Sequence, residues 1–482
     1  MPQAFRWSSP TELLVKPDHY LVRLMRSQGV SEAQLGIRPR GGSGKASGDG
    51  SMEEVADDRE AWRTFCAHSR VLRGTPTALW LRESLAQVFG WRDWPLGVHN
   101  ADASFDALSA KLASAEFAPA ALLQRFGVEF LSTTDAASSD LRAHTAIAAR
   151  GLPFRVVPTF RPDAALQIGA SRWRAEVTAL GVAAGVRVKD YASYLRALRA
   201  RRAAFKRAGA LAADHGVDDL RRTPPRALPL HAAEDIFAAA LAGDAPPSSA
   251  QAAAFEGHML MQMARMSTED GMVMQMHCGV HRGHDERVAR LYGPDMGGDV
   301  PLPQEFVHSL HELLNAYGTH PNMTIILFTL DEAAYSRDLA PLAGTYPALR
   351  LGPPWWFHDS RNGMRRYLEA VTESAGIDNL AGFNDDTRAL PSIAARHDLW
   401  RRAVAAWAAE MADDGVFSEQ EAREVVWELA YGRARAAYRI PAEPEAGGGG
   451  GGGGVAIGAG AGEAEGDAAA SAASAAPEKA EL

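Results

Sequence analysis

The sequence lacks the features that mark secreted and membrane-spanning proteins. It contains only two cysteines, Cys66 and Cys278, which cannot form a disulfide framework and so indicate a reducing interior. No apolar run approaches the roughly 20 residues that a membrane-spanning helix needs. Residues 1–7 have no apolar core of the kind found in a secretory signal. These absences predict a cytoplasmic protein without a membrane partner.

The sequence also has no excess of positive charge. Its 50 lysines and arginines are outnumbered by 59 aspartates and glutamates, a formal net charge of −9 that argues against a nucleic-acid partner. Much of the negative charge lies in residues 442–482, where seven acidic residues accompany a single lysine. The rest of the chain is nearly neutral, which is compatible with an anionic small-molecule substrate held by local arginines.

Several common catalytic motifs are missing as well. None of the 15 histidines belongs to a His-x-His pair or to a His-Glu-x-x-His helix. Outside a run of glycines at residues 447–454 there is no Gly-x-Gly-x-x-Gly fingerprint, and neither a phosphate-binding loop nor a Gly-x-Ser-x-Gly elbow occurs. Dinucleotide-binding, phosphate-loop and α/β-hydrolase classes are therefore disfavoured.

Low-complexity composition divides the chain. Residues 38–52 are rich in glycine and serine and read as a flexible insertion. Residues 441–482 combine the glycine run with alanine, glutamate and serine and read as a disordered tail. We therefore predict one catalytic domain over residues 1–440, with a helical insertion at about residues 53–125 after the first helix.

Short apolar runs alternate with longer helical patterns in the rest of the chain, which is typical of a parallel α/β sheet. Helical patterns before the first run cover residues 11–28, 60–66 and 79–89. The predicted strands are residues 128–134, 154–160, 209–214, 272–277, 323–330, 348–352 and, more weakly, 380–386.

Polar, ionisable or aromatic residues recur where these runs end. Barrel enzymes build their sites at that end of the strands, whereas doubly wound sheets use one switch point. Strands also end in polar turn residues for local reasons. The recurrence favours a TIM-like (β/α)8 barrel. Such a barrel has eight strands and only seven are found, so the predicted fold lacks its first strand, which would precede the first helix.

Two of these run ends carry groups suited to catalysis. His277 follows an apolar strand, where an imidazole can bind metal, donate a hydrogen bond or transfer a proton; a purely structural histidine is the alternative. Asp386 ends the last run and suits a general base or metal ligand, with Arg388 placed to bind an anion. The alternative is a loop-capping aspartate beside a surface arginine.

Three further positions have both a functional and a structural interpretation. Arg161 ends a strand and precedes a proline, which suits a guanidinium directed at a carboxylate or a surface ion pair with Asp163. Trp355 begins a Trp-Trp-Phe segment that resembles a sugar-packing wall or a buried aromatic cluster. His19 and Tyr20 lie in a helical pattern, and the structural interpretation of this pair is the half-buried face of a helix.

Taken together, these segments resemble the uronate isomerase (glucuronate isomerase) family of the amidohydrolase superfamily. The resemblance covers residues 11–440 apart from the glycine-rich insertion. The motifs that carry it are Asp18-His-Tyr-Leu-Val-Arg-Leu-Met-Arg26, Phe130-Leu-Ser-Thr-Thr-Asp135, Thr159-Phe-Arg-Pro-Asp163, Ala213-Asp-His-Gly216, Met274-Gln-Met-His-Cys-Gly279, Trp355-Trp-Phe-His-Asp359 with Gly363-Met364, and Asp386-Thr-Arg388 with Arg396-His397.

The resemblance implies an amidohydrolase-type barrel enzyme that interconverts aldehyde and keto uronic acids, such as D-glucuronate and D-fructuronate or D-galacturonate and D-tagaturonate. It implies a divalent metal, commonly zinc, and a role for Asp386 as metal ligand and base. The implied catalytic residues are Tyr20, Asp214, His277 and Asp386, and the implied substrate-binding residues are His19, Arg161, Trp355 and Arg388.

The sequence departs from the family at one point. The family's first strand carries a His-x-His pair that binds the metal with the last-strand aspartate, and this chain has no such pair. His277 and Asp386 are the metal ligands that remain. One hypothesis is an isomerase whose recorded N-terminus is incomplete. The alternative is a catalytically inactive barrel that binds a sugar acid or a partner. A metal hydrolase of the wider superfamily is a third, and a homo-oligomer is compatible with any of them.

Overall fold

The computed structural model describes residues 6–40, 54–243, 246–355 and 358–441. Its described residues up to Ile440 belong to one compact unit. Apart from residues 38–40 and Pro441, the predicted flexible insertion and the predicted tail lie outside the described residues. The domain boundaries given above therefore stay predictions.

Six strands form one parallel sheet in the described chain. They are β1 Phe130–Ala136, β2 Arg155–Arg161, β3 Ala212–Val217, β4 Val273–Cys278, β7 Ile325–Thr329 and β8 Leu349–Leu351. Their spatial order is β1-β2-β3-β4-β7-β8. Two short strands, β5 Val280–His281 and β6 Val300–Pro301, pair antiparallel in a separate hairpin.

Helices precede the sheet and connect its strands. The α-helices are α1 Pro10–Leu14, α2 His19–Arg26, α3 Asp58–His68, α4 Pro76–Gln87, α5 Ala101–Leu112, α6 Pro119–Arg125, α7 Arg142–Ala148, α8 Asp163–Leu166, α9 Trp173–Ala184, α10 Tyr191–Arg207, α11 Leu230–Ala242, α12 Ser249–Asp270, α13 Glu286–Tyr292, α14 His311–Tyr317, α15 Glu332–Ala334, α16 Ala340–Ala343, α17 Arg361–Ala375, α18 Ser392–Asp413, α19 Glu419–Trp427 and α20 Arg433–Ala437. Short 3₁₀ segments are Ser69–Leu72, Ala115–Phe117, Pro294–Gly297 and Ile377–Asn379, and π-helical turns are Tyr335–Leu339 and Glu428–Gly432. Within these described ranges, no helix is long and apolar enough to cross a membrane.

The main core lies between the sheet and its covering helices. Every residue of β7 is buried, which is typical of a parallel strand covered on both faces. The longest helices have clear end signals, as in α12, where Ser248 forms a capping box and Gly271 ends the helix at a φ of 72°. The helices before β1 have a second apolar core of their own, around Trp62 and Phe65.

The sheet is open beside β1. Among the described residues, β1 pairs only with β2, so its other edge has no strand neighbour. Ser132 and Thr134 alternate along β1 and are exposed on the face that they share. The described sheet is thus short of strands on the side where the sequence predicted that one is missing.

Two sequence predictions are wrong in detail. The run at residues 380–386 forms only a single bridge, between Leu351 and Leu380, because Gly382 adopts a φ of 71° and turns the chain out of the extended path. The pattern at residues 11–28 is two helices rather than one. Pro17 cannot donate a backbone hydrogen bond, and Asp18 caps a new helix by accepting from the Leu21 N–H at 2.9 Å.

Candidate active site

Three neighbouring strands bring predicted site residues to the same end of the sheet. Arg161 is the last residue of β2, Asp214 lies in β3 and His277 in β4. Gly216 pairs with His277 in the parallel register, and alternate residues of a strand share a face. Asp214 and His277 therefore project from the same face of adjacent strands.

Asp214, which is buried, and His277, which is partly exposed, form a hydrogen-bonded pair. The His277 Nδ1–H donates to Asp214 Oδ1 at 2.6 Å, which leaves Nε2 as the ring nitrogen available for other partners. Burial alone would raise the pKa of Asp214, but His277 and Arg161 outweigh that effect and hold it well below its usual value. The imidazole also stacks on Phe328 at a centroid distance of 4.6 Å and meets the edge of Trp355 at 5.4 Å. Its orientation is thus fixed on three sides.

Arg161 is held by two carboxylates. Its Nε donates to Asp163 Oδ2 at 2.8 Å, and its Nη1 lies 3.5 Å from Asp214 Oδ2. Asp163 in turn accepts from the Gly216 N–H at 3.1 Å, so β3 positions the carboxylate that positions the guanidinium. The sequence left a surface ion pair with Asp163 as the alternative for Arg161. The structure shows more than that pair, because Arg161 also contacts Asp214, which is only 5% exposed.

Helix α2 delivers His19 and Tyr20 to the same region. Both are buried, with His19 Nε2 3.8 Å from Asp299 Oδ2. The Tyr20 hydroxyl is hydrogen-bonded to Trp355, and it interacts electrostatically with Asp299 and Asp386. Burial, and then Asp299, raise the pKa of Tyr20, which keeps the phenol neutral and able to donate a hydrogen bond. Trp356 and Phe357, the rest of the predicted aromatic wall, lie outside the described residues.

Asp386 and Arg388 lie on the loop after Leu380. Asp386 is exposed and interacts electrostatically with Arg161 and Tyr20, so it belongs to the group around His277. Its φ of 46° is in the left-handed region, which a non-glycine residue adopts only when its surroundings impose it. Arg388 is also exposed and interacts with Asp18, the cap of α2, at a small cavity that Trp80 and Arg396 help to line.

Sequence reasoning missed several charged residues that contact this group. Asp163 belonged to a quoted motif, but only a surface pairing was considered for it. Asp299, which is 2% exposed and pairs with Arg282 at 3.2 Å, comes from a loop that carries no sequence signal. Arg396 was quoted only as part of a motif, although it is fully buried and pairs with Asp385, the residue before Asp386.

The residues present do not make a metal site. His277 and Asp386 are the only predicted ligands in the chain, and His277 Nδ1 is already bonded to Asp214. The described ranges hold no group of three histidine, cysteine or acidic residues arranged to bind a metal. Residues outside those ranges contain neither histidine nor cysteine. Zinc usually takes three or more protein ligands, so these residues do not fit a zinc ion.

Comparisons with known proteins agree closely with one another. A family model for glucuronate isomerase matches residues 3–438. Uronate isomerase of Nostoc punctiforme is 45% identical over 91% of this chain and 89% of its own. The crystal structure of glucuronate isomerase from Caulobacter crescentus superposes with a TM-score of 0.85 at 42% identity, over 92% of this chain and 89% of that one. The uronate isomerase structure from Thermotoga maritima gives 0.81 at 27% identity, over 90% of each chain. The predicted α/β barrel class is confirmed by these structures.

Proposed function

The chain belongs to the glucuronate isomerase family, as its motifs predicted, and on that basis we propose that it interconverts the aldehyde and keto forms of a uronic acid. D-glucuronate and D-fructuronate, or D-galacturonate and D-tagaturonate, are the substrate pairs we propose. The reaction is an intramolecular oxidation and reduction, in which C2 becomes a carbonyl while the C1 aldehyde becomes an alcohol. No external oxidant or reductant is consumed.

The chemistry makes three demands on the protein. A base must take the proton from C2 and return it to C1, and donors must stabilise the negative charge of the enediolate between these steps. A cation must also hold the C6 carboxylate, because that group distinguishes a uronic acid from a neutral sugar.

We assign the proton transfer to Asp386. It is exposed, so a substrate can reach its carboxylate, and it lies within electrostatic range of Arg161 and Tyr20. Tyr20, kept neutral by burial and by Asp299, is assigned as a donor to an enediolate oxygen. His277 is assigned as a proton carrier: because its Nδ1–H is donated to Asp214, Nε2 can accept a proton from the substrate and return it.

We assign substrate binding to the two arginines and to the aromatic and imidazole groups beside them. Arg161 is preorganised by Asp163 and Asp214, which lowers the entropy lost when it binds an anion. Arg388 lies on the same loop as Asp386, two residues further on, so an anion bound there is carried near the proposed base. Trp355 contacts the His277 ring and hydrogen-bonds to Tyr20. The His19 ring lies against that of Tyr20, with a centroid distance of 4.3 Å.

The convergence of Arg161, His277, Tyr20 and Asp386 at one end of the sheet is the observation that carries this proposal. The test is D-glucuronate turnover, followed by the appearance of the ketose, for the wild-type chain, for Asp386→Asn and for Asp378→Asn. Asp378 is a matched control because its side chain is 83% exposed. We expect turnover by the wild type, a loss of about 10²–10⁴-fold in Asp386→Asn and no change in the control. A wild-type chain without turnover would refute the proposal and favour the inactive barrel that binds sugar acids or a partner.

A further inference from the structure

Arg396 forms a buried ion-pair cluster that includes Asp385, a residue of the loop that carries Asp386. It lies on α18 and is 1% exposed. Its Nη1 lies 2.8 Å from Asp385 Oδ1, and its Nη2 donates to the carboxylate of Asp359. One guanidinium therefore joins three parts of the fold: α18, the segment after Trp355 and the residue immediately before Asp386.

A fourth element completes this cluster. The guanidinium Cζ of Arg396 lies 4.6 Å from the ring centroid of Trp80 on α4, and the Trp80 indole N–H donates to the Asp359 carbonyl oxygen at 2.9 Å. Trp80 thus fixes both the arginine and the backbone of its acidic partner. Such a cluster constrains position closely, because the guanidinium lies between two carboxylates and against an aromatic ring.

The same helix also holds the chain on the other side of Asp386. The Thr387 hydroxyl lies 2.8 Å from the hydroxyl of Ser392, the first residue of α18, and donates to the Ala389 carbonyl oxygen at 3.0 Å. Asp386 is consequently flanked by two residues that are both tied to α18. These ties hold the chain on both sides of Asp386, whose φ of 46° lies in the left-handed region.

We infer that Arg396 is a positioning residue for the isomerisation: by binding Asp385 and Asp359 together, it sets the position of the Asp386 carboxylate at the C2–C1 edge of the substrate. The inference rests on the proposed function, because it acts through Asp386. Arg396 contacts Asp385 and Asp359 and acts through them on Asp386. Its loss removes neither Arg161 nor Arg388, so it should reduce the rate of the chemical step much more than the binding of the sugar acid.

The test measures kcat and KM separately for full-length Arg396→Met, Arg396→Lys and Arg365→Met. Arg365 is the matched control, since it also pairs with two carboxylates, Glu369 at 2.6 Å and Glu410 at 2.8 Å, but lies on the surface of α17. We expect Arg396→Met to lower kcat by about 10- to 100-fold, the usual cost of a misplaced catalytic group, with KM changed by less than about 3-fold. Arg396→Lys keeps the charge and should recover part of kcat, and Arg365→Met should match the wild type.

Other outcomes overturn the inference in distinguishable ways. If Arg396→Met does not fold, Arg396→Lys and Asp385→Asn decide, and a kcat unchanged in both contradicts a positioning role. If Asp386→Asn is inactive while the folded Arg396 variants keep wild-type kcat, the inference alone fails. If the wild type has no turnover, or Asp386→Asn keeps full turnover, the proposed function fails and the inference fails with it.

Discussion

Individual side chains of the candidate site are held by charged partners that come from distant parts of the sequence. Asp214 fixes the His277 ring, and Asp163 fixes Arg161 while accepting a hydrogen bond from the backbone of Gly216. These partners were hard to predict because a sequence shows which residues end a strand, but not which carboxylates meet them. The ends of the predicted strands made Arg161, His277 and Asp386 candidates, each with a structural alternative that the family resemblance weighed against, whereas the buried Asp299 was not a candidate.

Arg388 provides the clearest test of substrate binding at the level of one residue. Replacing it in Arg388→Ala removes a charge-assisted contact to an anionic group of the substrate. We expect binding to weaken by about 2 kcal/mol, a rise in KM of roughly 30-fold. Arg402→Ala is the control, because Arg402 is a surface residue that pairs with Asp398 one helical turn away. An unchanged KM in Arg388→Ala would show that Arg388 does not hold the substrate.

His215 should make stability depend on pH. Burial lowers its pKa to about 4, so the folded protein keeps the ring neutral while the unfolded chain titrates near its usual value of about 6.5. Its contribution is therefore complete above about pH 6.5 and is lost as the pH falls towards 4. Between pH 7.5 and pH 5 we expect this residue alone to cost about 2 kcal/mol of the free energy of unfolding.

Urea unfolding at both pH values checks this expectation in the wild type and in His215→Asn. The asparagine amide replaces the Nδ1–H that bonds to the Gln275 carbonyl oxygen at 2.9 Å, but it does not titrate. Comparison with the variant is needed because Asp359, whose pKa burial raises to about 6, changes stability in the opposite sense over the same range. An equal loss of stability in both proteins would contradict the assignment to His215.

At the scale of secondary structure, the sequence predicted the regular elements better than the loops. Short β-type runs located all six strands of the sheet. Burial on both faces leaves a continuous apolar signature in β7, whereas β1 alternates with exposed residues. The predicted strand at residues 380–386 was wrong because its composition resembles a strand, while its path is decided by Gly382 and by ties to α18. Tertiary contacts of this kind are invisible in local sequence.

Gly382 gives a test of that loop. A Cβ added there would lie 2.9 Å from the backbone nitrogen of Ala434, at a residue whose φ is already positive. We expect Gly382→Ala to lower the free energy of unfolding by about 2–3 kcal/mol and to reduce turnover by displacing Asp386. In Gly185→Ala, where φ is 65° with ψ 26° and no atom lies within 4 Å, only the backbone cost of about 1 kcal/mol remains. Chemical denaturation compares the two, and equal losses would show that the contact with Ala434 is unimportant.

At the scale of the whole molecule, the described chain retains a barrel-type sheet and one cluster of reactive side chains, but its metal ligands are incomplete. The open edge at β1 and the absence of a His-x-His pair agree, because the resemblance implies that the pair lies on the first strand, which is the strand not found. Strand counting predicted a missing strand, and the described sheet has none beside the free edge of β1, whereas the missing pair is read directly from the sequence. The cytoplasmic location and the assembly state stay predictions.

Metal content follows from that donor set. With His277 and Asp386 as the only candidate ligands, we expect zinc to be held weakly and to be lost when the purified chain is passed through metal-free buffer. Elemental analysis before and after gel filtration measures this directly, with Asp386→Ala as the comparison. Stoichiometric zinc that survives filtration in the wild type and disappears in the variant would show that further ligands exist in the chain.

The central claim is that side chains at the strand ends move a proton between C2 and C1 of a uronic acid. Its most direct test is D-glucuronate turnover in D2O, with the ketose product analysed by NMR for deuterium at C1. Because Asp386 is exposed, the proton that it takes from C2 should exchange with solvent before transfer. The account predicts D-fructuronate carrying solvent deuterium at C1, and loss of this product in Asp386→Asn. Absence of the ketose, or a ketose that Asp386→Asn forms as fast as the wild type, would contradict it.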